Sequence, residues 1–251
     1  MSGHSKWSSI KHQKGVADAR RGQLFTKLAR EIIVAARKGG SNPEANYHLR
    51  LGIQKARDNN MPLENIERAI KRGSGELEGA ALVEMFLEGY GPSGVAILVQ
   101  ALSDNRNRTL QEVRNAFNRH GGNLGESGCV AWIFDRRGVI TVETASLDAD
   151  ELGLQAIDAG AEDVKVGNGY MEIYTRPEDL EAVRTALEHK KVAIDSAELA
   201  MVPKTTVELD EKAALQAMKL LNKLEEVDDV QQVSSNADFS DEILEKYQAQ
   251  A

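Results

Sequence analysis

The sequence predicts an α+β fold in three domains: an N-terminal three-helix domain and two α/β sandwich domains, one of them ferredoxin-like and inserted in the other. Three observations carry this. Apolar residues recur at helical spacing up to Gly75, strand and helix patterns alternate beyond it, and residues 138–201 spell out β-α-β-β-α-β. A chain of 251 residues also exceeds the usual single-domain size.

Residues 1–22 lack a helical apolar stripe and carry Lys11-His12-Gln13-Lys14, which reads as a flexible basic arm. From Gln23 to Lys38, Leu24, Leu28, Ile32 and Ala35 make an amphipathic helix that Gly39-Gly40 ends. Asn42-Pro43 then offers a cap and a first-turn proline for a helix with the stripe Ala45, Leu49, Ile53 and Ala56. Pro62 opens a third helix, with Leu63, Ile66 and Ile70 expected inward, and Gly73-Ser74-Gly75 closes it. Residues 23–75 therefore form a basic three-helix domain.

Met85–Tyr90 and Val95–Leu102 read as a hairpin through Gly91-Pro92-Ser93-Gly94. Thr109-Leu110-Gln111-Glu112 has the pattern of a capping box, so a helix is expected from there to Gly121-Gly122, with Val113 and Phe117 buried and a strand at Cys129–Phe134 after it. In residues 136–204 the expected elements are strand Val139–Val142, helix Asp150–Asp158, strands Asp163–Val166 and Tyr170–Tyr174 around the Asn168-Gly169 turn, a helix after Pro177, and strand Val192–Met201. A helix at Asp210–Leu224 and a strand at Val230–Ser234 cannot stand alone, and are expected to complete the domain of residues 76–135 as its second piece, 205–237. Residues 238–251 read as a polar, frayed tail.

Composition narrows the function. A single cysteine, Cys129, excludes an internal disulfide and a multi-cysteine zinc site. No apolar run approaches the roughly 20 residues that span a bilayer, and Met1 to Trp7 lacks a signal peptide's apolar stretch, so a cytoplasmic location is expected. The net charge of −8 hides a split. Residues 1–75 hold fifteen Lys and Arg against six acids, a balance of +9, and the rest hold sixteen against thirty-three, a balance of −17. Such asymmetry points the N-terminal third at a polyanion and leaves acidic domains suited to a basic protein partner. The other reading is a solvated helical surface.

No catalytic constellation emerges. Gly89–Gly94 lacks the Gly-Lys-Ser/Thr ending of a phosphate loop and sits between strands, where a tight turn explains it. His48, His120 and His189 have no ligand companions, and Cys129, in an apolar stretch, reads as a core thiol. Glu225-Glu226 and Asp228-Asp229 read as solvated element ends. Neither a metal nor an organic cofactor is expected, nor a membrane or small-molecule substrate.

The basic residues, by contrast, are arranged. Arg20, Lys27, Arg30 and Arg37 follow seven- and three-residue steps along one helix face, with Arg21 and Lys38 beside them and Lys6, Lys11, His12 and Lys14 in the arm. Neutralising phosphates with such a stripe releases counterions and gives salt-sensitive binding with little sequence information. Because Lys27, Arg30 and Arg37 lie off the apolar stripe, changing them to glutamate is expected to leave the helical domain folded. Trp7 would stack on an exposed base or cap the helical domain. Asn105, Arg106, Asn107 and Arg108 form a second concentration, read either as a polar loop entering a helix or as a recognition loop with donors for phosphates and base edges.

Several stretches together resemble the YebC family of bacterial proteins, whose relatives include a mitochondrial translational activator. They are Met1-Ser2-Gly3-His4-Ser5-Lys6-Trp7, Lys11-His12-Gln13-Lys14, Phe25-Thr26-Lys27-Leu28 with Arg30-Glu31-Ile32, Tyr90-Gly91-Pro92-Ser93-Gly94-Val95-Ala96, Asp104-Asn105-Arg106-Asn107-Arg108-Thr109 and Gly128-Cys129-Val130. The resemblance runs nearly end to end, and implies three domains and no enzymatic activity. It implies either a probable transcriptional regulator that binds DNA, or a translation factor that meets ribosomal RNA and tRNA on ribosomes stalled at proline-rich stretches.

Overall fold

The computed structural model describes residues 18–79, 81–144, 148–167, 169–240 and 242–244. The architecture is α+β, with the N-terminal helical domain and two sheet domains that the sequence implies. The chain divides into two compact units, one formed by residues 18–129 and 215–233, the other by residues 130–214 and 234–244.

The first unit opens with α1 (Asp18–Gly39), α2 (Tyr47–Asp58) and α3 (Leu63–Ser74). Helix α1 starts a turn earlier than its apolar stripe, within the stretch read as an arm. Leu28, Ile32, Ile33, Leu49, Ile53, Met61 and Ile66 make an aliphatic core, as the scarcity of aromatics requires. Leu63 does not join it and stays 58% exposed, because it occupies the first position of α3. A Cβ on Gly73 would lie 2.6 Å from both Ala36 Cβ and Ile33 O, so the crossing of α3 over α1 demands a glycine. The cap of α2 is Asn46, not Asn42: its Oδ1 accepts from Leu49 N at 3.1 Å, and its Nδ2 donates to Ala35 O and Gly40 O at 2.8 Å each. Asn42 and Pro43 belong to the preceding turn.

The same unit contains a four-stranded sheet in the order β3-β1-β2-β9, built from β1 (Val83–Tyr90), β2 (Ala96–Ser103), β3 (Asn123–Leu124) and β9 (Val230–Ser235). Strands β1 and β2 pair from Val83↔Ser103 to Tyr90↔Ala96 around a short turn at Pro92–Gly94, where Gly94 has φ +78°. Helix α4 (Arg106–Arg119) buries Val113, Ala116 and Phe117. After it the chain makes a short 3₁₀ turn at Ala131–Ile133 where a strand was expected, and Trp132 there is 69% exposed.

The second unit holds β4 (Phe134–Glu143), α5 (Ala149–Asp158), β5 (Asp163–Val166), β6 (Tyr170–Thr175), α6 (Leu180–His189) and β7 (Ile194–Pro203). Their antiparallel sheet, in the order β5-β6-β4-β7, is the ferredoxin-like arrangement. Strand β8 (Val207–Glu208) pairs in parallel with β10 (Ala237–Asp238), and α7 (Glu211–Glu225) leads the chain back to the first unit. Phe239, Ile243 and Leu244 are buried, so the start of the expected polar tail contributes to a core.

Candidate nucleic-acid interface

In the first unit, the end of β2, the start of α4 and the residues before β9 converge on one buried carboxylate. Ser103 Oγ accepts from Asn105 N at 2.9 Å, and Asn105 Oδ1 accepts from Arg108 N at 3.1 Å, which makes Asn105 the N-cap of α4. The expected capping box is thereby displaced. Thr109 is not a cap but a buried residue of the first turn, and its hydroxyl donates to Asp229 Oδ2 at 2.6 Å. Ser103 Oγ and Arg108 Nη2 donate to the same oxygen at 2.9 and 2.7 Å. On the other side, Arg30 Nη1 lies 2.8 Å from Asp229 Oδ1 and donates to Asp228 O at 2.5 Å, so its contact with Asp229 is an ion pair without a hydrogen bond's angle.

Asp229 is only 1% exposed. Burial by itself pushes its carboxyl up, but the donations from Thr109, Arg108 and Ser103 and the charge of Arg30 outweigh it and hold the group below its ordinary value. The bond to Asp229, with that to Asp104, raises Arg108 in turn. Lys27 Nζ donates to Glu225 O at 2.6 Å, meeting one of the last carbonyls of α7, which have no intrahelical partner.

These contacts sort the site residues expected from sequence. Lys27 and Arg30 fasten the helical domain to the acidic residues 225–229, so their change to glutamate would break bonds of the fold, contrary to the expectation drawn from the apolar stripe. Lys38 pairs with Glu84 at 2.5 Å. Arg21 and Arg37 are exposed on α1, and Arg106 and Asn107 are exposed on the first turn of α4. The sequence Asn105-Arg106-Asn107-Arg108 is a cap and a helical turn, not a loop, with Arg108 turned back to Asp229. Lys6, Trp7, Lys11, His12 and Lys14 lie outside the described residues, as does the Arg20 side chain.

Sequence reasoning missed Arg68 and Arg72. They stand four residues apart on α3, and with Arg30 and Arg37 of α1 they line a groove floored by Phe25, Ile33, Met61, Ala69 and Leu82. Arg37, Arg68 and Arg72 are exposed, and none has a carboxylate within ion-pair reach among the described residues. Among those residues Asp104 is the one acid lining the groove, and it is engaged by Arg108 at 2.9 Å. The four-residue spacing on α3 was the available signal; what it faced was not visible. Among the described residues no group of three His, Cys, Asp and Glu side chains could hold a metal ion, and no helix is long and apolar enough to cross a membrane.

Two family models match the chain. The TACO1/YebC protein N-terminal domain matches residues 5–76, and the TACO1/YebC second and third domain matches residues 82–237. A probable transcriptional regulatory protein of Dehalococcoides mccartyi strain CBDB1 is 66% identical over 251 residues, covering 100% of both chains. One from Chloroflexus aurantiacus strain J-10-fl is 55% identical over 252 residues, covering 99% of this chain and 100% of that one. The crystal structure of a conserved hypothetical protein from Aquifex aeolicus, 53% identical, superposes with a TM-score of 0.87 over 95% of this chain and 99% of the other.

Proposed function

Because the chain belongs to the TACO1/YebC family, we propose that it is a non-enzymatic, nucleic-acid-binding regulator of gene expression that works without a cofactor. Relatives named as probable transcriptional regulatory proteins support the regulatory part of this reading. The observation that carries the binding part is the set of uncompensated cations on the helical domain. Arg37, Arg68 and Arg72 flank one groove without acidic partners among the described residues, and positive charge held in this way on two rigid helices is a surface for phosphates.

The transcriptional form of the reading places DNA on this surface. The alternative is a ribosome-associated translation factor holding ribosomal RNA or tRNA, and the apolar floor between the arginines favours it, since duplex DNA offers phosphates but no exposed base to cover such a floor. Binding of the purified full chain to duplex DNA and to ribosomes, measured across salt, tests both. The proposal expects affinity that falls with salt, with a sequence preference on duplex DNA well below the roughly 10³-fold of a dedicated operator-reading protein. Absence of salt-dependent affinity for any nucleic acid would remove the binding function. A tight, sequence-selective footprint on DNA without ribosome association would establish the transcriptional form.

A further inference from the structure

The groove between α1 and α3 has a composition more specific than a basic surface. Its rim is guanidinium, from Arg37 on one helix and Arg68 and Arg72 on the other, and its floor is apolar, with Ile33 8% and Met61 6% exposed beneath partly buried Phe25 and Leu82. Asn65, on the α3 wall, has an amide that can both donate and accept, and that makes no hydrogen bond among the described residues. A ligand for this groove needs three properties: negative charge at the edges, a flat or apolar body for the floor, and polar edge atoms for one amide.

A free phosphate meets only the first of these requirements, and a run of acidic side chains alone lacks the flat body. In a duplex the phosphates are accessible while the bases are stacked away from the protein surface. An unpaired nucleotide within a strand meets all three, because its base can leave the strand and lie on an apolar or aromatic surface while the neighbouring phosphates reach arginines. We propose that the α1–α3 groove is a binding site for an unpaired nucleotide of single-stranded nucleic acid, with the base on the floor beside Phe25 and Met61 and the flanking phosphates on Arg37, Arg68 and Arg72. The Asn65 amide faces the edge of the base. This assignment rests on the nucleic-acid-binding reading above and specifies the state of the nucleic acid that it takes.

The test uses the full chain and a 12-nucleotide single strand carrying 2-aminopurine at its centre, beside the same strand with an abasic site there and the matching duplex. Base stacking in the groove should change the 2-aminopurine emission, and removing the base should weaken binding about 10-fold. The variant Arg68→Ala/Arg72→Ala changes two exposed side chains, so its circular dichroism should match the parent chain. Its slope of log K against log salt on the single strand should be shallower by about 1.4, or 0.7 for each phosphate that is no longer neutralised. Equal affinity for the intact and abasic strands, or a variant that binds the single strand unchanged, would overturn the groove assignment while leaving nucleic-acid binding in place. Failure of the parent chain to bind either single strand or duplex at low salt would instead overturn the underlying reading, and this proposal with it.

Discussion

Replacing Asp229 by asparagine changes one buried carboxylate into an amide of nearly the same shape. The carboxylate accepts from Ser103, Thr109 and Arg108 on one oxygen and faces Arg30 on the other, at 2.6 to 2.9 Å. Hydrogen bonds to a charged acceptor contribute about 1 kcal/mol more than neutral ones, so the two buried hydroxyl bonds lose about 2 kcal/mol between them. Loss of the charge opposite Arg30, whose side chain is 18% exposed, adds about 1 kcal/mol, and Arg108 at 43% exposure adds little because water takes over. The total is about 3 kcal/mol, which for a chain of this size lowers Tm by about 6–12 °C.

The pH dependence follows from the direction of the shift. Asp229 titrates below its ordinary value of 3.8 in the folded chain, so the unfolded chain takes up this proton first. The stability that Asp229 contributes is complete above the ordinary carboxylate range and is lost as pH falls through the folded value. Asparagine has nothing to titrate there. Urea unfolding followed by circular dichroism should therefore separate the two proteins at neutral pH and bring them together in strong acid. Equal midpoints at neutral pH, or a gap that persists undiminished in acid, would refute the idea that the charge of Asp229 holds this junction.

Thr109→Val removes one donor to Asp229 and should cost about 1–2 kcal/mol, seen as a lower urea midpoint. Asn46→Ala strips the cap of α2 and leaves the carbonyls of Ala35 and Gly40 without their side-chain donor, for a loss of about 2–3 kcal/mol measured in the same way. Gly73→Ala forces a methyl to 2.6 Å from Ala36 Cβ and Ile33 O and should cost about 1–3 kcal/mol by prying α3 from α1. Lys27→Glu/Arg30→Glu should lower Tm, whereas Arg37→Ala/Arg68→Ala/Arg72→Ala should keep the parent Tm and flatten the salt dependence of single-strand binding by about 2, so calorimetry and binding together separate the two sets.

The fold was legible in the sequence where one periodicity dominated. The β-α-β-β-α-β order emerged element by element because each element has its own apolar pattern and the sequence carries an Asn-Gly signal between the patterns of β5 and β6. The local errors share a cause, namely more than one residue competing to cap or to be buried. Thr109 matches a capping box, yet Asn105 takes the cap because Ser103 fixes its backbone N–H and Asp229 claims the threonine hydroxyl. Asn42-Pro43 looks like a helix start, yet Asn46 reaches across to α1 and sets the boundary. Asp229 itself was invisible as a site. An Asp-Asp pair after a helix resembles any solvated helix end, and nothing local shows that Ser103, Thr109, Arg108 and Arg30 meet there.

That junction determines which cations remain for a ligand. Arg30 and Arg37 fall on the same face of α1, two turns apart, but a phosphate approaching Arg30 competes with a carboxylate already desolvated and 2.8 Å away. Capturing Arg30 would leave the Asp229 charge buried with one counterion fewer, a penalty that a phosphate in water does not face at Arg37. Arg108 is held by the same carboxylate and by Asp104, which leaves Arg106 as the arginine of that turn without an acidic partner among the described residues. The turn at residues 225–229, distant in sequence, thus divides a single basic stripe into a structural half around Lys27 and Arg30 and a half around Arg37 without acidic partners among the described residues, to which α3 adds Arg68 and Arg72. Charge counted along the sequence overstates the cations left without a carboxylate near Asp229 and understates those at the groove.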